Sequence, residues 1–200
     1  MMKQFDLKAL TRFQESFDTT GDVLDVVADT IGDTCTASGL WRIFGRSMPK
    51  LGIHDWNSQS LWKQHWGDLA HDITCIGEDI FGNQLVCITE TSNLLIWDHE
   101  NGGLFTLNLN PQDAFEVVLK HGIGWIDFYN DKYIQVGLDR LVDLTENSHV
   151  HWTTPLILGG EIDINNTSII DRVNHLIGHG KLWCQLQDVS LGSSVIIKPS

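Results

Sequence analysis

The sequence predicts an α+β fold in which a central antiparallel sheet of about five or six strands has helices packed on one face. Two observations support this prediction. Apolar residues recur at helical spacing near the start of the chain, and four short apolar runs separated by tight turns follow from residue 73. Because 200 residues are enough for one sizeable core and few for two, we expect a single domain over 1–200.

The first part of the chain is predicted to be helical. The apolar spacing indicates an amphipathic helix over 6–17, with Asp6 as its N-cap. A second short helix is expected to end at Gly32, and a third is expected over 57–66. The segment 39–45 is too short and too closely bounded by glycine to be assigned to a helix or a strand.

The middle of the chain has the pattern of a β-meander. Four apolar runs are separated by short polar and glycine-containing segments, as expected for antiparallel strands; they cover 73–77, 84–89, 93–98 and 103–109. The run from Leu85 to Ile88 is apolar at every position, which indicates a central strand covered on both faces.

The last part of the chain mixes helix and strand patterns. Helix start and stop residues predict a helix over 110–122, and two short strands, or a strand and a turn, are expected at 124–129 and 132–137. A further helix is expected to end at Gly178, and a final strand at 194–198. The apolar face predicted for that last helix consists of Ile169, Ile170, Val173, Leu176 and Ile177.

The charge balance excludes some partners. With 13 basic and 26 acidic residues the formal net charge is −13, which disfavours nucleic acid and anionic membranes as partners. A basic protein would be attracted instead, although solubility alone explains the charge equally well. No segment approaches the roughly 18 apolar residues of a membrane span. The four cysteines form no CxxC pair and are expected to be reduced, which favours the cytoplasm: Cys35, Cys75, Cys87 and Cys184.

Adjacent carboxylates at Glu78 and Asp79 raise the question of acid–base catalysis. The following residues, Phe-Gly-Asn-Gln, are typical of a turn, and Gly82 supplies a positive φ if the turn needs one. No histidine or further carboxylate lies close in sequence to form a proton-transfer pair. A turn between two strands is therefore the favoured interpretation.

Nine histidines raise the question of a metal site. His149 and His151 would share one face of a strand, and His175 and His179 one face of a helix. The second pair lacks the glutamate of a HExxH motif, and Gly178 weakens the helix that would align the two rings. The favoured interpretation is therefore that His175 and His179 are ordinary histidines near a helix C-terminus, where a positive imidazole is stabilised. No metal, cofactor or catalytic residue is predicted, although a hydrolase built from distant residues stays an open alternative.

Several phrases resemble the SUKH superfamily of Smi/Knr-type proteins, over about residues 5–135. The stretch IGEDIFGNQLVCI and the later WDHENG turn correspond to phrases of that family, at residues Gly77, Glu78, Asp79, Gly82, Asn83 and Gln84, then Trp97, Asp98, His99 and Glu100. The tail from Thr154, with Leu158, Gly159 and Gly160, is similar to type VI secretion immunity proteins with a GAD-like domain.

Both resemblances imply a cytoplasmic, non-enzymatic bacterial protein that binds and neutralises a toxin delivered by competing cells. A regulatory adaptor of the Smi/Knr type is the alternative. The expected partner is a basic toxin domain, since a basic cleft would be occluded by an acidic surface. The candidate partner contacts are Glu78, Asp79, Asp98 and Glu100 at the ends of the meander, with Trp62 and Trp66 as the two tryptophans expected to be half covered.

Overall fold

The structure, a computed structural model, describes residues 3–4, 34–35, 40–46, 51–88, 93–100, 103–107, 129–190 and 192–196. Three of the predicted helices, at 6–17, before Gly32 and over 110–122, lie outside these residues, and so does the strand expected at 124–129 except for its last residue. The described residues form two sheets and several helices around one apolar core.

A seven-stranded sheet forms the centre of the fold, with its strands arranged in chain order. The strands are β1 (Lys3–Gln4), β2 (Thr34–Cys35), β3 (Trp41–Ile43), β4 (Thr74–Asp79), β5 (Gln84–Ile88), β6 (Asn93–Asp98) and β7 (Gly103–Thr106). All neighbouring pairs from β2 to β7 are antiparallel, while β1 and β2 pair in parallel. The α+β class with a central antiparallel sheet is thus confirmed, and β4 to β7 are the predicted meander.

Strand β5 is central, as its apolar run predicts. It pairs with β4 on one side and with β6 on the other. Leu85 and Val86 point to opposite faces of the sheet, and both are fully buried. The sheet is therefore covered on both faces at this point.

A second sheet joins the C-terminal region to the first. It consists of β8 (Ser148–Trp152) and β9 (Thr167–Asp171), which are antiparallel. The Val150 N–H donates to the Ile80 carbonyl at 2.8 Å, and the side chains of Val150 and Trp152 are fully buried in the common core. The C-terminal region therefore shares its core with the meander.

Two of the three described α-helices begin at side-chain caps. The described α-helices are α1 (Ile53–Trp56), α2 (Asp131–Arg140) and α3 (Arg172–Leu186), and 3₁₀ turns occur at Lys63–Ala70, Leu141–Asp143, Leu156–Leu158 and Ile164–Asn166. Asn130 accepts from the Tyr133 N–H to cap α2, and Asp171 caps α3. None of the helices within the described ranges is long and apolar enough to cross a membrane.

Three sequence predictions are wrong in the C-terminal half. The strand expected at 132–137 lies inside α2, where the Asn130 cap and the three-residue spacing of buried Tyr133 and Val136 stabilise a helix. Ile169 and Ile170 belong to β9, and α3 begins only after its Asp171 cap and continues past Gly178. The described part of the last predicted strand, up to residue 196, forms no strand.

The helix predicted over 57–66 is replaced by two short turns. Asn57 ends α1, where its Nδ2 donates to the Ile53 and Cys75 carbonyls, instead of beginning a helix. Its Oδ1 also accepts from the Cys75 N–H, so the side chain bonds to the edge of β4. The chain continues into the 3₁₀ helix Lys63–Ala70. Tertiary hydrogen bonds thus override the local helical pattern.

Candidate functional site

The turn between β4 and β5 is built around the carboxylate of Asp79. Its Oδ1 accepts from the backbone N–H groups of Phe81 and Asn83 at 2.9 Å each. Its Oδ2 accepts from Asn83 Nδ2 at 2.8 Å and from the Tyr129 hydroxyl at 2.5 Å. Gly82 has a φ of +98°, so this turn does use the positive φ that glycine can supply. The interpretation of this segment as a turn between strands is therefore correct.

Burial changes the protonation of Asp79. The side chain is fully buried, and burial raises the pKa of its carboxyl to about 7 in spite of the donors around it. Its hydroxyl partner Tyr129 is also buried, and burial together with the Asp79 charge raises the pKa of that phenol well above 10. The phenol therefore stays protonated and donates to Asp79.

Glu78 lies at the centre of a buried charge network. Its Oε1 contacts Arg42 Nη2 at 2.5 Å and Arg172 Nη1 at 3.0 Å. Its Oε2 lies 3.2 Å from His149 Nε2 and 3.3 Å from Gln84 Nε2. The Arg172 guanidinium also lies 3.9 Å from the ring centroid of Trp56. Two cations brought from distant parts of the chain therefore balance a single carboxylate.

The two arginines decide the charge of Glu78. Burial by itself would raise the pKa of this carboxyl. The charges of Arg172 and Arg42 and the contact with His149 outweigh burial and hold the pKa well below its usual range. Burial lowers the pKa of Arg172 to about 10, which leaves the guanidinium positive at neutral pH. Glu78 is therefore ionised inside the protein.

A cluster of histidines lies next to this network, and we call it the histidine cluster. It consists of His99 and Glu100 after β6, His149 and His151 on β8, and His175 and His179 on α3. One nitrogen or oxygen atom from each of His99, Glu100, His175 and His179 lies within 4.8 Å of the other three, and all four residues are buried. These are the described residues that could hold a metal ion.

Hydrogen bonds around the histidine cluster determine which ring nitrogens carry protons. His149 Nε2 lies close to the negatively charged Glu78 carboxylate, although the angle is not that of a good hydrogen bond. We place the ring proton on Nε2, because a lone pair at that atom would be repelled by the carboxylate. The neutral His149 then accepts at Nδ1 from His175 Nδ1, at 3.2 Å. His175 Nε2 is thereby left with a free lone pair.

A second chain of contacts acts on His99. Asn83 Nδ2 donates to Asp79, so the Asn83 Oδ1 is free to accept from His99 Nδ1 at 3.1 Å. The proton of His99 therefore sits on Nδ1 and its Nε2 has a free lone pair. Glu78 thus orients His175 through His149, and Asp79 orients His99 through Asn83.

The inner atoms of the histidine cluster lack hydrogen-bond partners among the described residues. They are the Nε2 atoms of His99, His175 and His179 and the Oε1 of Glu100. Glu100 Oε1 lies 3.4 Å from His179 Nε2 and 3.6 Å from His99 Nε2, while its Oε2 accepts from the Leu156 N–H. Buried polar atoms in native interiors nearly always pair with protein, water or an ion, so four that converge in this way point to a shared ligand.

Burial controls the protonation of the histidine cluster as well. It lowers the pKa of His179 to about 3 and holds the pKa of His99 and His175 well below 6.5. It raises the pKa of Glu100 to about 8. The imidazoles are therefore neutral at pH 7, which is the form in which they bind metals.

The predicted partner contacts are all buried. Their exposed fractions are 0% for Glu78 and Asp79, 8% for Asp98, 3% for Glu100, 0% for Trp62 and 1% for Trp66. The expectation that Trp62 and Trp66 are half covered is wrong, because Trp62 stacks on Trp97 with centroids 5.5 Å apart and Trp66 donates to the Leu176 carbonyl. None of the six side chains is presented at the surface of this structure.

The expected role of the histidines near a helix terminus also needs correction. Helix α3 continues to Leu186, so His175 and His179 lie well before its end and face the interior. The four-residue spacing does place His175 and His179 together, as predicted, and His149 and His151 both contact the His175 ring from β8. The contribution of His99 was missed, and only its place in the WDHE phrase distinguished it in the sequence.

A polar cleft lies on the surface of the C-terminal region, and we call it the acidic cleft. Its volume is about 370 Å³, and its lining is Thr154, Gly159, Gly160, Glu161, Asp163, Asn165 and Asn166. Asn166 crosslinks the surrounding loop, since its Nδ2 donates to the Thr154 and Glu161 carbonyls. A Cβ at Gly160 would lie 1.9 Å from the Thr154 carbonyl oxygen, so only glycine fits there.

Comparison with known proteins gives a similarity of fold alone. No family model matches the sequence, and no curated protein matches it. The fold is similar to the crystal structure of Atu4351 from Agrobacterium tumefaciens, with a TM-score of 0.50 and 12% sequence identity, over 90% of this chain and 82% of that chain. The chain therefore shares the overall architecture of that protein.

Proposed function

We propose that the protein is a cytoplasmic immunity protein that binds and neutralises a basic toxin domain. The supporting observation is the distribution of charge at the surface. Among the described residues three basic side chains are buried, Arg42, Lys63 and Arg172, and so are four acidic ones, Glu78, Asp79, Asp98 and Glu100. Burial therefore removes similar numbers of both signs and does not cancel the excess of 26 acidic over 13 basic residues. The strongly exposed carboxylates of the described residues are Asp55, Asp68, Asp72, Asp131, Asp139, Asp143, Glu161, Asp171 and Asp188.

The acidic cleft is the contact that we propose for the partner. Hydrogen bonds from Asn165 lower the pKa of the partly exposed Asp163 carboxyl, which is therefore ionised, and Glu161 also lines the acidic cleft. The loop is fixed by the hydrogen bond from Asn166 to the Thr154 carbonyl and by the tight packing of Gly160 against that carbonyl. Binding a partner therefore costs little conformational entropy in this loop. A lysine or arginine of a toxin would find two carboxylates and several carbonyl groups there.

The thiols agree with a cytoplasmic location. Cys75, Cys87 and Cys184 are free, and burial raises the pKa of the Cys75 thiol to about 12 and that of Cys87 to about 11. Buried thiols of this kind are inert, while the exposed Cys184 would be open to oxidation outside a reducing compartment.

The test begins with capture of partners by the tagged protein from its source cells, at low and at raised salt. A captured protein counts as the toxin if it is basic, stops growth when expressed alone, and loses this effect when the present protein is coexpressed. We expect binding to weaken as salt increases, because exposed opposite charges are screened. A bound partner without toxicity would contradict immunity and favour the regulatory adaptor.

A pair of matched variants tests the acidic cleft. Glu161→Lys combined with Asp163→Asn should weaken partner binding at least tenfold and remove protection, because two carboxylates are lost and one cation is gained. Asp68→Lys combined with Asp72→Asn makes the same change of charge at another exposed place and should weaken binding much less. Equal losses in both pairs would show that net charge, and not the acidic cleft, determines binding.

A further inference from the structure

We propose that His99, Glu100, His175 and His179 bind one zinc ion in the interior of the protein. The first reason is geometric. Zinc bonds of about 2.0–2.1 Å place tetrahedral ligand atoms about 3.3–3.5 Å apart. Glu100 Oε1 already lies 3.4 Å from His179 Nε2 and 3.6 Å from His99 Nε2. The four ligand atoms lie within 4.8 Å of one another, so a small contraction completes the tetrahedron.

The second reason is the absence of other partners for these atoms within the described residues. Three imidazole Nε2 atoms and one carboxylate oxygen converge without hydrogen-bond partners there, although each belongs to a buried side chain. A single proton shared among these atoms would satisfy at most two of them and leave the other buried acceptors unpaired. One divalent cation satisfies all four at once, and nitrogen with carboxylate oxygen is a ligand set suited to zinc.

The third reason is the shell of residues behind the ligands. Metal-bound histidines usually donate their other ring N–H to a carboxylate or carbonyl group, which orients the ring. Here Asn83 Oδ1 accepts from His99, and His149, itself facing Glu78, accepts from His175. Glu100 is held in the same way through its Oε2, which accepts from the Leu156 N–H. Three of the four ligands are therefore oriented before a metal arrives.

The arrangement fits a structural ion. Four buried protein ligands fill a tetrahedral zinc shell and leave no position for water or substrate, whereas catalytic zinc usually keeps one position open. The ligands come from the end of β6 and from α3, so the ion crosslinks the meander to the C-terminal helix. His151 is only partly buried and packs against the rings of His175 and His179.

The experiment measures metal in the full-length chain, purified without a histidine tag and without chelators. Elemental analysis should find about one zinc per chain. Removal by a chelator should lower the melting temperature, and re-addition of zinc sulfate should restore it, with a dissociation constant of about 100 nM or tighter. A chain that purifies without zinc and whose melting temperature does not respond to added zinc would overturn the proposal.

Variants and a spectroscopic probe identify the ligands. Glu100→Gln keeps the size of the side chain and an acceptor for Leu156, and it should weaken zinc binding at least 100-fold. His71→Gln alters an exposed histidine away from the cluster and should leave zinc binding unchanged. Cobalt(II) added to the chelator-treated wild-type chain should give the strong visible absorption of a tetrahedral site. This measurement uses the wild-type chain, so it does not depend on whether a variant folds. Equal zinc affinity in both variants, or the weak spectrum of hydrated cobalt, would overturn the assignment.

Discussion

At the scale of single residues, the structure assigns opposite protonation behaviour to two adjacent carboxylates. Glu78 is ionised because Arg42 and Arg172 lie against it, whereas Asp79 has neutral donors and a pKa raised to about 7 by burial. Both are fully buried, so the difference comes from the charge of their neighbours. This difference cannot be derived from the sequence around 78–79, because neither arginine lies nearby.

Replacing Glu78 by Gln tests the buried charge network. The change leaves Arg42 and Arg172 without a balancing carboxylate in the interior, and we expect a loss of about 3–5 kcal/mol in the free energy of unfolding. Urea unfolding at pH 7 measures this loss. Asp143→Asn is the control: its partner Arg140 is partly exposed, and that change should cost no more than about 1 kcal/mol.

The same comparison made at several pH values tests the direction of the pKa shift. The pKa of Glu78 is lower in the folded chain than the value of about 4.3 expected in the unfolded chain. Its stabilisation is therefore complete above that value and decreases as the pH falls through it, by about 1.4 kcal/mol per pH unit. The stability gap between wild type and Glu78→Gln should narrow below pH 4, and a constant gap would contradict the shift.

At the scale of elements, strand β5 and helix α3 organise the interior. β5 lies between β4 and β6 and is covered on both faces, while α3 supplies Arg172 to Glu78 and His175 and His179 to the histidine cluster. A single cap decides where α3 begins, since the Asp171 side chain accepts from the Val173 and Asn174 N–H groups. The register of all three functional side chains depends on that start.

Replacing Val86 by Asp tests the central place of β5. Val86 is fully buried, and an aspartate there would lie without a partner in the core. We expect a loss above about 4 kcal/mol, enough to remove the cooperative thermal transition or to make the protein insoluble. Leu104→Asp on β7, where the side chain is 50% exposed, should change stability by about 0.5 kcal/mol or less. A soluble Val86→Asp protein with wild-type unfolding would contradict the central placement.

At the scale of the whole molecule, the C-terminal region completes the core that the meander begins. Val150, Trp152 and Leu176 are fully buried among residues of the first sheet and its helices. The buried ion pair between Arg172 and Glu78 joins the two regions as well. The described part of residues 140–200 therefore shares one core with the rest of the described chain.

Truncation of the chain after Asp143 tests this shared core. The shortened protein loses β8, β9 and α3, and it leaves Glu78 without Arg172. We expect it to lack a cooperative urea transition, whereas the full chain unfolds cooperatively; circular dichroism measures both. A folded truncated chain with a sharp transition would show that the meander is an independent unit.

The sequence by itself determined the α+β class, the β-meander, the central place of β5 and the turn around Gly82. These features follow from alternation, apolar runs and turn residues, which act over a few positions. Only the tertiary structure decided that the predicted partner contacts are buried and that Glu78 is balanced by Arg172, 94 positions away. The histidine cluster likewise assembles from three separate elements. The spacing of residues over a few positions does not predict such contacts, because they depend on how whole elements pack against one another.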